Sequence, residues 1–157
     1  MATKEEIEMI QDWIRFYWSE KCLQRCDINK DTEILEFSMG LLCKSIHPRI
    51  NRLKKLKELS IEMSSIKTFL FNHSTIKKIN LISNDISKIK INCPQLEYLD
   101  IRNNKLKIIE DINAPNLKEF HCDDNLLFKD KKLYQLAKKF GYNPKLIQDS
   151  NFQDELF

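Results

Sequence analysis

Five cysteines, three histidines and a scatter of carboxylates are the residues of this 157-residue chain with the means to do chemistry. Cys22 and Cys26, four apart, would share one face of a helix, and two thiolates make half of a zinc site. No histidine or second cysteine pair stands at supporting spacing, so the two read as small buried hydrophobes. With Cys43, Cys93 and Cys122 the cysteine count is odd and the spacing scattered, which predicts reduced thiols. The nearest approach to a nucleophilic pair is His121 beside Cys122, with Asp100 one repeat earlier. Neighbouring strand residues point to opposite faces, however, so that cysteine and histidine cannot meet. Two glycines are too few for a phosphate-cradling loop, and His47, His73 and His121 stand in no metal or nucleophile motif. No catalytic residue, cofactor or metal site is expected, and the chain is not expected to be an enzyme.

What positions these residues is a repeat. LKELSIEMSSI from Leu56, IKKINLISNDI from Ile76, LEYLDIRNNKL from Leu96 and LKEFHCDDNLL from Leu117 match one another at spacings of twenty, twenty and twenty-one residues. Such a period points to a solenoid, which offers a binding surface more readily than an active site. The alternation at Leu59/Ile61, Ile79/Leu81, Leu99/Ile101 and Phe120/Cys122 is that of short strands with one buried face. These predict one parallel sheet, one strand per repeat. Phe69 and Phe71, Ile89 and Ile91, and Ile109 and Ile112 would fill the core from the opposite side, where no stretch is long enough for a helix. Pro94 and Pro115 stand two residues before the next repeat, where a missing N–H is tolerated. A weaker copy, TEILEFSMGLL over residues 32–42, has Leu35 and Phe37 at the strand positions and Gly40 where later copies carry Asn or Ser. Its spacing to the next copy is twenty-four residues, and Leu42, Ile46, Ile50 and Leu53 suit a helical segment that Pro48 would interrupt.

The shared pattern L-x-x-L-x-L-x-x-N-x-L resembles the leucine-rich repeat family, specifically over residues 56–127 and more loosely from residue 32. The resemblance implies an α/β solenoid: a parallel sheet of about five short strands on a concave face, a non-helical convex side, and Asn84, Asn104 and Asn125 bonding the backbone as an internal ladder. Ser64 would do this less well. It also implies a protein-binding adaptor or scaffold.

An open stack exposes core at both ends, so caps are expected. Residues 1–31 supply one: Thr3 and Glu6 have capping-box spacing, and Ile7, Ile10, Trp13, Ile14, Tyr17 and Trp18 share a helical face. Residues 32–127 hold the repeats. Residues 128–157 supply the second cap, with Leu133, Leu136, Ala137 and Phe140 ending at Gly141. The N-terminus MATKEEIEMI is acidic where a secretory leader would be basic, and no segment is long enough to span a bilayer, so an intracellular location is expected. The Asn72-His73-Ser74 sequon then reads as an accident.

Partner-binding candidates are the outward strand positions Glu36, Glu62, Asn80, Ile82, Tyr98, Asp100, Arg102, His121 and Asp123. Counted over all five outward columns, this face holds nine acids and five bases, against +3 for the whole chain, leaving +7 elsewhere. That imbalance predicts a protein partner with a basic or mixed-charge segment. Ile82 and Tyr98 are the expected anchors, and Met9 and Phe16 lie opposite the buried stripe of the first helix as a second exposed apolar pair. The rival reading is a structural subunit of a ribonucleoprotein or other large assembly. There Lys131, Lys132, Lys138 and Lys139 would approach nucleic acid, although few aromatic platforms stand among them.

Overall fold

The computed structural model describes residues 2–17, 28–38, 43–106, 108–125 and 131–141. Cys22, Cys26, Trp18, Met39, Gly40 and Leu42 lie outside them, as do the side chains of Phe37, Lys131, Lys132 and Leu133. The chain winds as a solenoid of parallel strands. β1 (Ile34–Ser38), β2 (Glu58–Glu62), β4 (Lys78–Asn80), β6 (Tyr98–Asp100) and β8 (Glu119–His121) form a five-stranded sheet in that order. The register stacks like upon like, Leu35 on Leu59, Leu59 on Ile79, Ile79 on Leu99 and Leu99 on Phe120, and all five are buried.

The return side is a second sheet, so the expectation of a single sheet is corrected. β3 (Thr68–Asn72), β5 (Lys88–Asn92) and β7 (Ile108–Asn113) pair in parallel. TFLFN and KIKIN alternate with period two, which buries Phe69, Phe71, Ile89 and Ile91 and turns Leu70, Asn72 and Lys90 outward. Asn72, Asn92 and Asn113 then bond amide to amide along the outside of this sheet, at 3.3 and 2.7 Å. The twenty-first residue of one repeat is absorbed here. Ile89 pairs with Ile109 but Lys90 with Asp111, a bulge that leaves the buried alternation intact.

Between the sheets, Pro94 and Pro115 sit second in tight turns closed by Leu96 N–H to Cys93 O and Leu117 N–H to Ala114 O. Pro48 does not interrupt a helix as the sequence suggested; it begins a 3₁₀ turn, Pro48–Arg52, capped by His47 Nδ1 accepting from Arg49 N–H.

On leaving the five-stranded sheet, Met63, Ser83, Asn103 and Asp124 all take left-handed backbone, with φ between 46° and 56°. Asn and Asp tolerate this region; Met63 is strained there. The next residue closes the turn. The Asn104 amide donates to Leu81 O (2.9 Å), Ile101 O (3.0 Å) and Arg102 O (3.0 Å), while its oxygen accepts from Ile86 N–H (3.0 Å). Asn84 and Asn125 repeat the arrangement one turn earlier and later. Ser64, with a shorter arm, bonds Glu62 O of its own turn.

Helix α1 (Lys4–Tyr17) buries Ile10 and Ile14 and packs on the 3₁₀ turn. Thr3 and Glu6 cap it reciprocally, and Glu6 also holds Arg49 (2.9 Å) and Arg52 (3.4 Å). Helix α2 (Lys131–Lys139) buries Ala137 and brings the Phe140 ring to 5.9 Å from Phe120 at the other end of the stack. Gly141 (φ 82°) follows it in left-handed backbone, as a C-terminal stop requires.

His73 is buried between turns. Its Nδ1 accepts Thr75 N–H (3.3 Å), which places the proton on Nε2, donated to Leu53 O (3.1 Å). Burial holds its pKa below the ordinary 6.5, against the opposing pull of the Leu53 bond.

Two outcomes are expected. Asn104→Ala leaves Ile86 N–H without its acceptor and takes one of two donors from each of three carbonyls, and should cost about 1–3 kcal/mol in urea unfolding, with no loss if the ladder is incidental. Because the unfolded chain takes up a proton on His73 near pH 6.5 and the folded chain resists it, stability should be full above that pH and decline as pH falls below it. His73→Gln should flatten the decline between about pH 7 and 5.5, leaving the share of His47, whose pKa burial also lowers.

Candidate functional site

Three rows of side chains cross the outer face of the five-stranded sheet, perpendicular to its strands. Register places Glu58, Lys78, Tyr98 and Glu119 in the first and Ser60, Asn80, Asp100 and His121 in the second. Past the strands, Met63 N–H bonds Ile82 O, Ser83 N–H bonds Arg102 O and Asn103 N–H bonds Asp123 O, which aligns Glu62, Ile82, Arg102 and Asp123 as the third. The expected binding residues of these turns therefore share one surface. Glu36 extends the second row onto β1, where it is exposed.

The rows are cross-braced. Glu62 accepts from Ser60 Oγ at 3.0 Å and from the Asn80 amide, whose own oxygen accepts Ile82 N–H at 3.2 Å. One repeat on, Asp100 Oδ1 accepts Arg102 N–H at 3.1 Å, the same local turn built by an acid instead of an amide. Arg102 then folds back on Asp100, Nε at 3.0 Å from both oxygens and a terminal nitrogen at 2.6 Å. The Tyr98 hydroxyl donates to the same carboxylate at 3.2 Å. Burial and the Asp100 charge push the phenol pKa up, and Asp100 raises that of the Arg102 guanidinium, fixing its charge. Lys78 lies 5.6 Å from the centre of the Tyr98 ring and the His121 ring 5.5 Å away.

Asp100 requires a correction. Although it sits on the outer face, its side chain is 0% exposed, covered by Tyr98 and Arg102, whose own side chain is 41% exposed. It organises the surface and offers a partner nothing directly. Alternation alone could not reveal this, but an Asp two residues before an Arg and two after a Tyr was the available signal. Ile82, Tyr98, Arg102, His121 and Asp123 are half-exposed.

Charge is also more ordered than the excess of acids implied. Along the rim Glu33 holds Lys57 (2.9 Å), Glu97 takes both Lys77 (3.2 Å) and Lys118 (2.5 Å), and Glu58 meets Lys78 at 3.7 Å. The two lysines keep the Glu97 carboxyl below its usual range. All five bases counted on this face are thus engaged, by Glu33, Glu58, Glu97 and Asp100.

The chain was compared with family models, curated proteins and solved structures, and none matches it at a significant level. Geometry must therefore carry the reading. The Cys122 thiol is buried, its pKa pushed up to about 12, while His121 lies on the outer face. Among the described residues no group of three His, Cys, Asp or Glu could hold a metal ion, and no helix is long and apolar enough to cross a membrane. Lys138 and Lys139 are exposed on α2, with Lys139 5.5 Å from the Phe140 ring. Met9 and Phe16 stand exposed on α1, Phe16 at 78%.

Asp100→Ala should cost about 1–3 kcal/mol, because Arg102 N–H and the Tyr98 hydroxyl lose their acceptor. Ile82→Thr, which replaces the ethyl arm of a half-exposed side chain by a hydroxyl and breaks no side-chain hydrogen bond, should cost at most about 1 kcal/mol. Equal losses in chemical unfolding would mean that Asp100 is only a surface acid.

Proposed function

We propose that this chain is a leucine-rich repeat protein, capped at both ends by its helices, which works inside the cell as a non-catalytic adaptor. It binds a protein partner on the outer face of the five-stranded sheet, which that fold makes concave. The observation that supports this best is the pair Ile82 and Tyr98, half-exposed on a surface whose surrounding polar groups are already cross-braced. Apolar and aromatic side chains in such a rigid setting lose little entropy on binding and dominate interface energies. The imbalance of acids over bases on the face favours a partner segment that brings positive charge.

Site-specific photocrosslinking tests the proposal. A benzophenone side chain at position 82 should capture a protein in extract from the producing cells, resistant to nuclease, and Tyr98→Ala should abolish capture. The same probe at Leu70, exposed on the opposite sheet, should not capture it. Capture from position 70 alone, or an adduct that nuclease removes, would reject the adaptor reading.

A further inference from the structure

We infer that the segment after α2 folds back along that helix, setting Phe152 in the cleft between α2 and β7 and laying its acids beside the lysines of α2. The return sheet is covered less completely at its last strand than before it. Register stacks Phe71, Ile91 and Ile112, of which the first two are buried and the third stays half-exposed. No described strand pairs with the outer edge of β7. Between β7 and α2 a cleft of about 350 Å³ remains, lined by Ile109, Ile112 and half-exposed Leu136, with Asp111 on the strand side and Gln135 and Lys139 on the helix side. An open stack needs its terminal core covered, and the nine residues of α2 leave this cleft.

The occupant is the chain itself. A cleft lined by six residues falls far short of the roughly 800 Å² per partner that a stable interface between separate molecules buries. A tethered segment needs less, because its effective concentration is on the order of millimolar. Charge agrees with this choice: α2 carries Lys131, Lys132, Lys138 and Lys139 and no acid, whereas residues 142–157 carry Asp149, Asp154 and Glu155 against Lys145 alone. Phe152 stands between those acids, the order that suits an apolar cleft with a lysine on its rim. Gly141, in left-handed backbone, follows Lys139 by two residues and precedes Phe152 by eleven. Eleven extended residues reach about 36 Å and the whole of α2 is about 14 Å long, so the segment has the length to turn and run back. Once seated, it partners lysines of α2 within the chain, and a nucleic acid or other acidic ligand has to displace it to reach them. The inference is independent of what binds the five-stranded sheet.

The test uses the whole chain, purified, with a benzophenone side chain in place of exposed Gln135. After irradiation and trypsin digestion, mass spectrometry should find the peptide containing position 135 joined to residues 146–157, in a proportion that dilution of the protein does not change. Phe152→Ser should lower that yield about tenfold, the loss expected when a Phe side chain gives up its burial. Asp149→Asn, Asp154→Asn and Glu155→Gln together should lower it several-fold, and so should raising the salt concentration. The same probe at Leu70, exposed on the far strand of the return sheet, should not reach the segment. Unfolding midpoints confirm that each variant keeps its fold. Equal yields from positions 135 and 70, no adduct with residues 146–157, or a yield indifferent to Phe152→Ser or to loss of the three acids overturns the inference. An adduct that falls away on dilution would assign the cleft to a second copy and overturns it as well.

Discussion

Three successive turns of this solenoid are each closed by an amide that reaches into the turn before it. Asn84, Asn104 and Asn125 are nearly enclosed, and each satisfies carbonyls from two successive turns together with an N–H of the return segment. A chain leaving a strand must expose backbone polar groups to the core, and nothing apolar can satisfy them. The amide, with donor and acceptor on one short arm, does so and fixes the axial distance between turns at the same time. Strand register, the stacking of Leu59 on Ile79 and Leu99, and the alignment of the outer rows all depend on that distance. The left-handed residue ahead of each Asn is what turns the side chain inward, so a strained Ser83 is tolerated for the sake of the closure.

Much of this was legible in the sequence, because a stacked repeat writes its contacts at fixed intervals. Strand positions, the buried face of α1 and the separation of His121 from Cys122 follow from spacing and alternation, while the asparagine ladder came from the resemblance to leucine-rich repeats. The second sheet was not read, although its signal was present: TFLFN and KIKIN alternate as cleanly as the first sheet's strands. Five-residue segments sharing apolar positions with tight turns can be either, and the deciding contact lies twenty residues away, between one return segment and the next. The bulge in β7 explains why a repeat of twenty-one residues stacks on one of twenty without losing its buried face.

The outer face shows a different limit. Which residues face outward is a local property, set by strand alternation. Which of them remain available is not, since Asp100 is enclosed by neighbours two residues away that fold over it. Net charge suffers the same blindness. A count of acids and bases cannot tell an acid that braces a lysine on the next strand from one that is left to a partner, and the rim pairs of Glu33 and Glu97 are of the first kind.

These two levels meet in how such a surface can evolve a preference. In a solenoid every outer position belongs to a row that advances by one strand per turn, so an exchange at one repeat moves charge along the axis by a fixed step of about 4.8 Å. The closing amides hold that step constant whatever the outer residues are, because they bond backbone and not side chains. Outer residues are thus free to vary without cost to the stack except where, like Asp100, they have become part of the bracing. The enclosed acid at the middle of the face shows the consequence: where along the axis a charge stands, and what folds over it, counts for more than the sum of charges on the face.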